Sequence, residues 1–148
     1  MAAKKAHHSG KHRALERQAE CLAKTRRDHA NEIIEDYVKV IADMLAESGE
    51  ARVVDLAKRI GVSHVTVIRT IARLRKYNFV TTEPYRTIFL TEKGRTLATI
   101  CKSRHETVVA FLRLLGISKR ISEMDAEGIE HHVSPETLAA FKSALRLD

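Results

Sequence analysis

The 148-residue sequence predicts a mostly α fold with a small β-wing, built as a winged helix-turn-helix domain followed by an α-helical second domain. Three observations carry that expectation. Apolar residues recur at helical spacing from Ile33 onward. The pattern A-x-x-x-G-V-S, Ala57 to Ser63, places a tight turn between two short helical stretches. Residues 79–91 concentrate Val, Thr, Tyr, Ile and Phe around Pro84 and Arg86, as in a two-stranded hairpin. Composition agrees: 44% hydrophobic residues, 5% aromatic, no Trp and two Pro suit an aliphatic, helix-rich interior.

Some classes are excluded at this level. No apolar run approaches the roughly 18 residues of a membrane span, and the N-terminus lacks the apolar segment of a signal peptide. The expectation is a soluble, cytoplasmic protein with no membrane partner. Cys21 and Cys101 carry neither C-x-x-C spacing nor a disulfide framework, which fits a reducing compartment.

Residues 1–26 form a basic arm expected to be flexible. Residues 1–30 alone hold +5 of the net charge of +7. Lys4, Lys5, Lys11 and Arg13 mix with His7, His8 and His12 around Ser9 and Gly10, a composition that buries no apolar face. It suits contact with DNA phosphates, a solubilising extension or a weak surface metal trap. The domain expected over 27–98 opens with a helix at about 27–48, whose apolar positions 33, 34, 37, 38, 41, 44 and 45 form one stripe ending before Gly49. Asp36 falls on the flank of that stripe, close to a buried face yet within reach of solvent or a metal.

Residues 52–77 read as two helices around Gly61. Ser63 is a suitable N-cap for the second, which turns Val67, Ile71 and Leu74 inward and leaves Ser63, His64, Thr66, Arg69, Thr70 and Arg73 outward. Outward Arg and hydroxyl side chains near a helix N-terminus can read base edges in the major groove. The segment Arg52–Lys76 carries +6, a field that favours nucleic acid. The wing tip, Tyr85, Arg86 and Thr87, is placed to touch phosphate or the minor groove, with Arg86 as the DNA-binding candidate.

In the second domain, expected over 99–148, a helix opened by Thr91 and Gly94 runs to about 103 and leads to an apolar helix from His105 to Leu115, stopped by Gly116. Val108, Val109, Phe111, Leu112 and Leu115 are accounted for either by a dimer seam or by core packing. Helices over 118–132 and 134–147 follow, the last opened by Ser134-Pro135-Glu136.

The chemistry concentrates in D-A-E-G-I-E-H-H at 125–132. On a helix, Glu127, Glu130 and His131 at i, i+3 and i+4 share one face. Mixed oxygen and nitrogen donors without a thiolate suit manganese or iron(II) before zinc. His105, Glu106 and His132 lie near in sequence, and Glu35 and Asp36 lie on the earlier helix. The plain alternative is a solvated charged face.

A winged helix-turn-helix followed by R-H-E at 104–106 and D-A-E-G-I-E-H-H-V-S at 125–134 resembles the manganese transport regulators of the diphtheria toxin repressor superfamily, from about His29 to Phe141. The resemblance implies a homodimeric, cytoplasmic bacterial repressor of manganese uptake genes on a palindromic DNA operator. Metal between the first helix and the second domain would favour the DNA-competent geometry. It implies metal ligands at Asp36, His105, Glu127, Glu130 and His131. The iron-sensing branch is known for Cys at the place of Glu127 and Met at the place of Asp36, so the resemblance implies Mn(2+), with Fe(2+) the runner-up. A ligating His131 must be neutral, so metal affinity should fall as pH drops through its pKa.

One departure stands out. The family pattern D-Y-x-E is here Asp36-Tyr37-Val38-Lys39. Four carboxylates with two divalent ions sum to zero charge, and so do three carboxylates, one Lys and one divalent ion. Charge counting therefore suggests one principal metal, with Lys39 standing in electrostatically for the second. The alternatives are that Lys39 turns outward while Glu35 or Asp43 supplies the missing oxygen, or that the protein binds DNA without metal. Thr87 also stands where relatives commonly carry Gly.

Two other functions compete. A winged-helix regulator of a non-metal effector would use the acidic cluster as an ion-pair network. A metal-dependent hydrolase would use Glu127, Glu130 and His131 with His105, but the chain lacks H-E-x-x-H and an obvious separate general base, and the +6 segment would go unexplained. The expectation is therefore not an enzyme. Cys101, one turn before His105, reads as a buried thiol ahead of a ligand.

Overall fold

The computed structural model describes residues 2–82 and 87–146, with side chains from Arg13 onward. The elements in order are α1 (Ala2–Ser48), α2 (Val53–Ile60), α3 (His64–Lys76), β1 (Val80–Thr82), β2 (Ile88–Leu90), α4 (Glu92–Leu114), α5 (Lys119–Ile129) and α6 (Pro135–Ala144).

Helix α1 corrects the first expectation. From Ala2 onward, the backbone expected to be a flexible arm over 1–26 is the first half of a 47-residue helix. The cause is local: residues 13–30 contain no Gly or Pro and are rich in Ala, Leu, Glu, Arg, Gln and Lys, the strongest helix formers. Side chains of residues 13–22 are all exposed, and those of residues 1–12, on which the expectation of an arm without an apolar face largely rested, lie outside the described residues. Only beyond Ile33 does α1 bury a stripe, Tyr37, Val38, Ile41 and Met44. It ends at Gly49, whose φ of +75° favours glycine.

The helix-turn-helix forms as expected. Gly61 takes φ +77° and donates its N–H to the Ala57 carbonyl, closing α2. Ser63 Oγ then accepts from the Thr66 N–H at 3.2 Å, capping α3. Val67, Ile71 and Leu74 of α3 bury against Leu56 of α2 and the α1 stripe. The wing is an antiparallel pair in the register Val80↔Leu90, Thr81↔Phe89 and Thr82↔Ile88. A bridge between Arg52 and Thr87 and the Ile88 N–H to Ala51 carbonyl bond (2.8 Å) tie it to the segment before α2. Residues 83–86, and with them Tyr85 and Arg86 of the expected wing tip, lie outside the described residues.

Thr91 caps α4, its Oγ1 accepting from the Gly94 N–H at 3.0 Å. A Cβ at Gly94 would come 2.1 Å from the Phe79 carbonyl oxygen, so α4 meets the wing this closely only because no side chain intervenes. Where two helices were expected, to about 103 and from 105, α4 is one continuous rod. No Gly or Pro interrupts residues 95–115. The domain boundary expected at 98–99 thus falls inside α4.

The second core is small. Val108, Cys101, Ser122 and Ala126 are fully buried between α4 and α5, and Phe111 stacks on Phe141 of α6 with centroids 4.0 Å apart. Leu114, Leu115, Ile121, Met124 and Ile129 remain exposed along α4 and α5. Helix α5 stops at Ile129, so Glu130 is its C-cap and His131 lies in the following turn. Of the face expected to carry Glu127, Glu130 and His131, the two glutamates lie together, and His131 joins a different group. Among the described residues, no helix is long and apolar enough to cross a membrane.

Candidate metal centre

The α1 residues Glu32, Glu35, Asp36 and Lys39 meet the middle of α4 and the turn after α5. Three elements distant in sequence converge there, and the titratable groups sort into two clusters.

In the first, donor atoms of Glu32, Asp36 and His131 lie within 4.8 Å of one another. The His131 side chain is 1% exposed, with Nδ1 2.7 Å from Glu35 Oε2 and Nε2 3.1 Å from Asp36 Oδ1. Glu35 is anchored in turn by the Arg104 guanidinium of α4. This chain of contacts fixes the ring: Nδ1–H donates to Glu35, and Nε2 is turned toward the α1 carboxylates. Nε2 is nonetheless buried without a hydrogen-bond partner, because its approach to Asp36 is short but poorly directed. Burial opposes a charge on this ring, yet Asp36 and Glu35 outweigh burial and hold its pKa up to about 9. A proton and a divalent cation would therefore compete for the same nitrogen. A buried, unsatisfied imidazole nitrogen facing two carboxylates fits a hard divalent cation.

The second cluster joins His105 of α4 with Glu127 and Glu130. Here the cation is already part of the chain. Lys39 Nζ donates to Glu127 Oε2 at 2.8 Å and to Glu130 Oε1 at 2.7 Å. His105 Nδ1 pairs with the other Glu130 oxygen. Glu130 is fully buried, and the Lys39 side chain is 13% exposed. Burial works against the Glu130 charge, but His105 and Lys39 together hold its pKa below the ordinary carboxylate value. Burial likewise works against Lys39, and the two glutamates raise it. The His105 pKa is raised, first by its hydrogen bond to Glu130. Both oxygens of buried Glu130 are thus satisfied within the protein, and no buried side-chain polar atom of this cluster lacks a partner.

The five expected ligands thus form two adjacent groups instead of one: Asp36 with His131, and His105 with Glu127 and Glu130. Glu130 Oε1 lies 3.6 Å from His131 Nε2, so the groups share a wall. The expectation that Lys39 turns outward is not met. Of the two proposed substitutes, Glu35 comes to the centre but engages Nδ1 of His131, whereas Asp43 lines a groove with Arg95 and Lys102. The sequence reading missed Glu32. Its signal was available, since Glu32 stands one turn before Asp36 on the same helix. Cys101 is buried, and its thiol is pushed up to about 11, first by burial and then by Glu35, so it stays protonated and is no thiolate donor.

On the opposite side of the first domain, Ser63, Thr66, Arg69 and Arg73 of α3 are exposed, and His64 and Thr70 are half-buried. Three hydroxyls are engaged locally: Ser63 as the cap, Thr66 with the Ser63 hydroxyl at 2.8 Å, and Thr70 in a bond to the Thr66 carbonyl at 2.9 Å. Val65 and Ile68 share the exposed surface of α3. Sequence periodicity had not singled them out, and such apolar groups suit thymine methyls.

Comparison with known proteins bears on both surfaces. Residues 30–88 match the family described as iron dependent repressor, N-terminal DNA binding domain, and residues 91–146 match iron dependent repressor, metal binding and dimerisation domain. The transcriptional regulator MntR of Salmonella typhimurium (strain LT2) is 46% identical over 127 residues, covering 86% of this chain and 81% of its own. The HTH-type transcriptional regulator MntR of Geobacillus kaustophilus is 40% identical over 101 residues, covering 68% of this chain and 72% of its own. A manganese-dependent transcriptional repressor solved in complex with manganese superposes with a TM-score of 0.71 at 30% identity, over 78% of this chain and 53% of that one. The IdeR of T. acidophilum gives 0.68 at 25% identity, over 74% and 52%. The chain therefore spans about half the length of these solved structures and most of the length of the curated relatives. By identity across most of its length, and by both domain matches, this chain belongs to the iron dependent repressor family, among the MntR regulators of the diphtheria toxin repressor superfamily.

Proposed function

We propose that the protein is a manganese(II)-responsive, DNA-binding transcriptional repressor of manganese uptake genes, acting in the cytoplasm as a homodimer on a palindromic operator. It is a regulator and not an enzyme. The observation that carries this reading is the buried His131 Nε2 in the α5–α6 turn, which faces carboxylates of α1 and lacks a hydrogen-bond partner. Of the five expected donors, Asp36 and His131 line the group left open to a cation, with Glu32 beside them, while His105, Glu127 and Glu130 form the adjoining group around Lys39. A bound manganese(II) ion supplies concentrated positive charge for which oxygen and imidazole nitrogen are matched donors. Iron(II) has the same preferences and is the second reading.

The mechanism follows from where the donors sit. Asp36 belongs to the first helix of the DNA-binding unit and His131 to the far side of α5. Glu35 and Asp36 both reach His131 from α1, and Arg104 of α4 pairs with Glu35, so the donors converge only when α1 lies in one position against the second domain. That position sets the spacing of the two α3 helices in a dimer and hence the fit to operator half-sites. The bias is limited by differential affinity: a factor of 10 to 100 corresponds to about 1.4 to 2.7 kcal/mol per site. At the DNA, Arg69 and Arg73 would reach base edges or phosphates with Ser63, His64, Thr66 and Thr70 beside them. Arg86, outside the described residues, is the wing contact. The exposed apolar residues Leu115, Ile121 and Met124 supply a seam for the second protomer.

The test is fluorescence anisotropy on a palindromic promoter fragment of a manganese transporter gene, with and without manganese(II), for the wild type and His131→Ala. Manganese-dependent binding that disappears in the variant is expected. Tight binding indifferent to both the metal and the substitution would overturn the reading and point to a non-metal effector.

A further inference from the structure

The two clusters offer different things to a cation, and the difference turns on Lys39. In the His105–Glu127–Glu130 group, the ammonium hydrogen-bonds two carboxylates, and the second oxygen of buried Glu130 is taken by His105. A metal entering there would have to expel a side chain whose Nζ is held at 2.7 and 2.8 Å on both sides. That group does not fit a second ion. In the Glu32–Asp36–His131 group no Lys or Arg among the described residues pairs with either carboxylate; Glu32 Oε2 pairs with the exposed His29 ring at 2.8 Å, a contact a metal could displace without expelling a buried ammonium. Only three buried side-chain polar atoms lack a hydrogen-bond partner among the described residues, and two of them, His131 Nε2 and Arg104 Nε, are at this centre.

We propose that each protomer binds a single divalent metal ion, held by Glu32, Asp36 and His131, while the Lys39 ammonium is a permanent built-in cation in the adjoining His105–Glu127–Glu130 group. This rests on the metal-sensing reading above and deepens it. Lys39 links α1 to α5 whether or not metal is present, so part of the interdomain clamp is made by the chain itself. Glu32 takes up the metal because Glu127 is committed to Lys39. The donor set, all oxygen and imidazole nitrogen, selects a hard divalent ion of the manganese(II) class.

The experiment counts metal on the full chain. Protein equilibrated with excess manganese(II) and desalted is measured for manganese per protomer by mass spectrometry, with calorimetric titration and electron paramagnetic resonance alongside. One ion per protomer with an isolated-ion spectrum is expected for the wild type. Lys39→Glu should take up two ions that show exchange coupling, and Lys39→Met should also exceed one, which keeps the test intact if the first variant does not fold by circular dichroism. Glu32→Gln should weaken the single site by about 10-fold or more at unchanged fold. Two tight ions in the wild type, or a folded Lys39→Glu still holding one, would overturn the built-in cation. An unchanged affinity in Glu32→Gln would overturn that ligand assignment. A wild type that retains no manganese would overturn the metal-sensing reading itself, a result distinct from either.

Discussion

The two halves of the centre use similar residues to opposite ends. Glu32, Asp36 and His131 gather negative charge around a nitrogen that the protein leaves unsatisfied, whereas His105, Glu127 and Glu130 gather it around an ammonium that satisfies them. The carboxylates and imidazoles do not distinguish the halves; one residue of α1 does. Buried Glu130 needs its charge answered within the fold, whereas Glu32 and Asp36, 27% and 38% exposed, keep oxygens open to a further cation.

The largest expected effect comes from breaking the unsatisfied half. His131→Ala removes the buried nitrogen, and manganese affinity should fall by more than the roughly 10–100-fold typical of losing a supporting partner. Calorimetric titration reads it, and retention of wild-type affinity would place the metal elsewhere. Next is the satisfied half. Lys39→Met leaves Glu130 buried with His105 as its remaining partner, and urea unfolding of the metal-free protein should show a loss of about 3 kcal/mol. A loss below about 1 kcal/mol would mean that the pairing contributes no more than a surface ion pair.

A finer comparison concerns support for the ring. Glu35→Gln keeps the shape but removes the carboxylate that orients His131 through Nδ1, so manganese affinity should drop by about 10–100-fold with the ion count unchanged. A changed count would make Glu35 a ligand. The smallest effect is expected at Glu127→Gln: the Glu127 side chain is 57% exposed, so its pairing with Lys39 is solvent-screened, and metal-free stability should change by under about 1 kcal/mol. A loss matching that of Lys39→Met would erase the asymmetry between the exposed and buried partners of the ammonium.

Much of the fold was legible before any tertiary contact. Gly61 and Ser63 announced the turn and cap of the helix-turn-helix, and Val67, Ile71 and Leu74 its buried side. Thr91 with Gly94 marked the start of α4, and Ser134-Pro135 the start of α6. These signals are local: a cap, a left-handed glycine or a stripe is decided by residues a few positions apart. The errors were also local in origin. The charge of the arm masked the helix propensity of residues 13–26, and a break was expected between 103 and 105, where no helix-breaking residue stands.

The donor types were legible as well, because Asp36, Glu127, Glu130 and His131 state their chemistry in any context. Their grouping was not. Lys39 meets Glu127 and Glu130 across 88 and 91 positions, and His131 meets Glu35 across 96. Glu130 stays beside Glu127 as the C-cap of α5, while His131, in the turn beyond it, meets Glu35 and Asp36 of α1 instead. The sequence by itself determined the elements, their order and the hard-donor character of the site. Only the tertiary structure decided which acids answer Lys39 and which face the unsatisfied His131 nitrogen. Backbone propensity acts over a few residues, whereas charge pairing in a buried site depends on how distant helices approach.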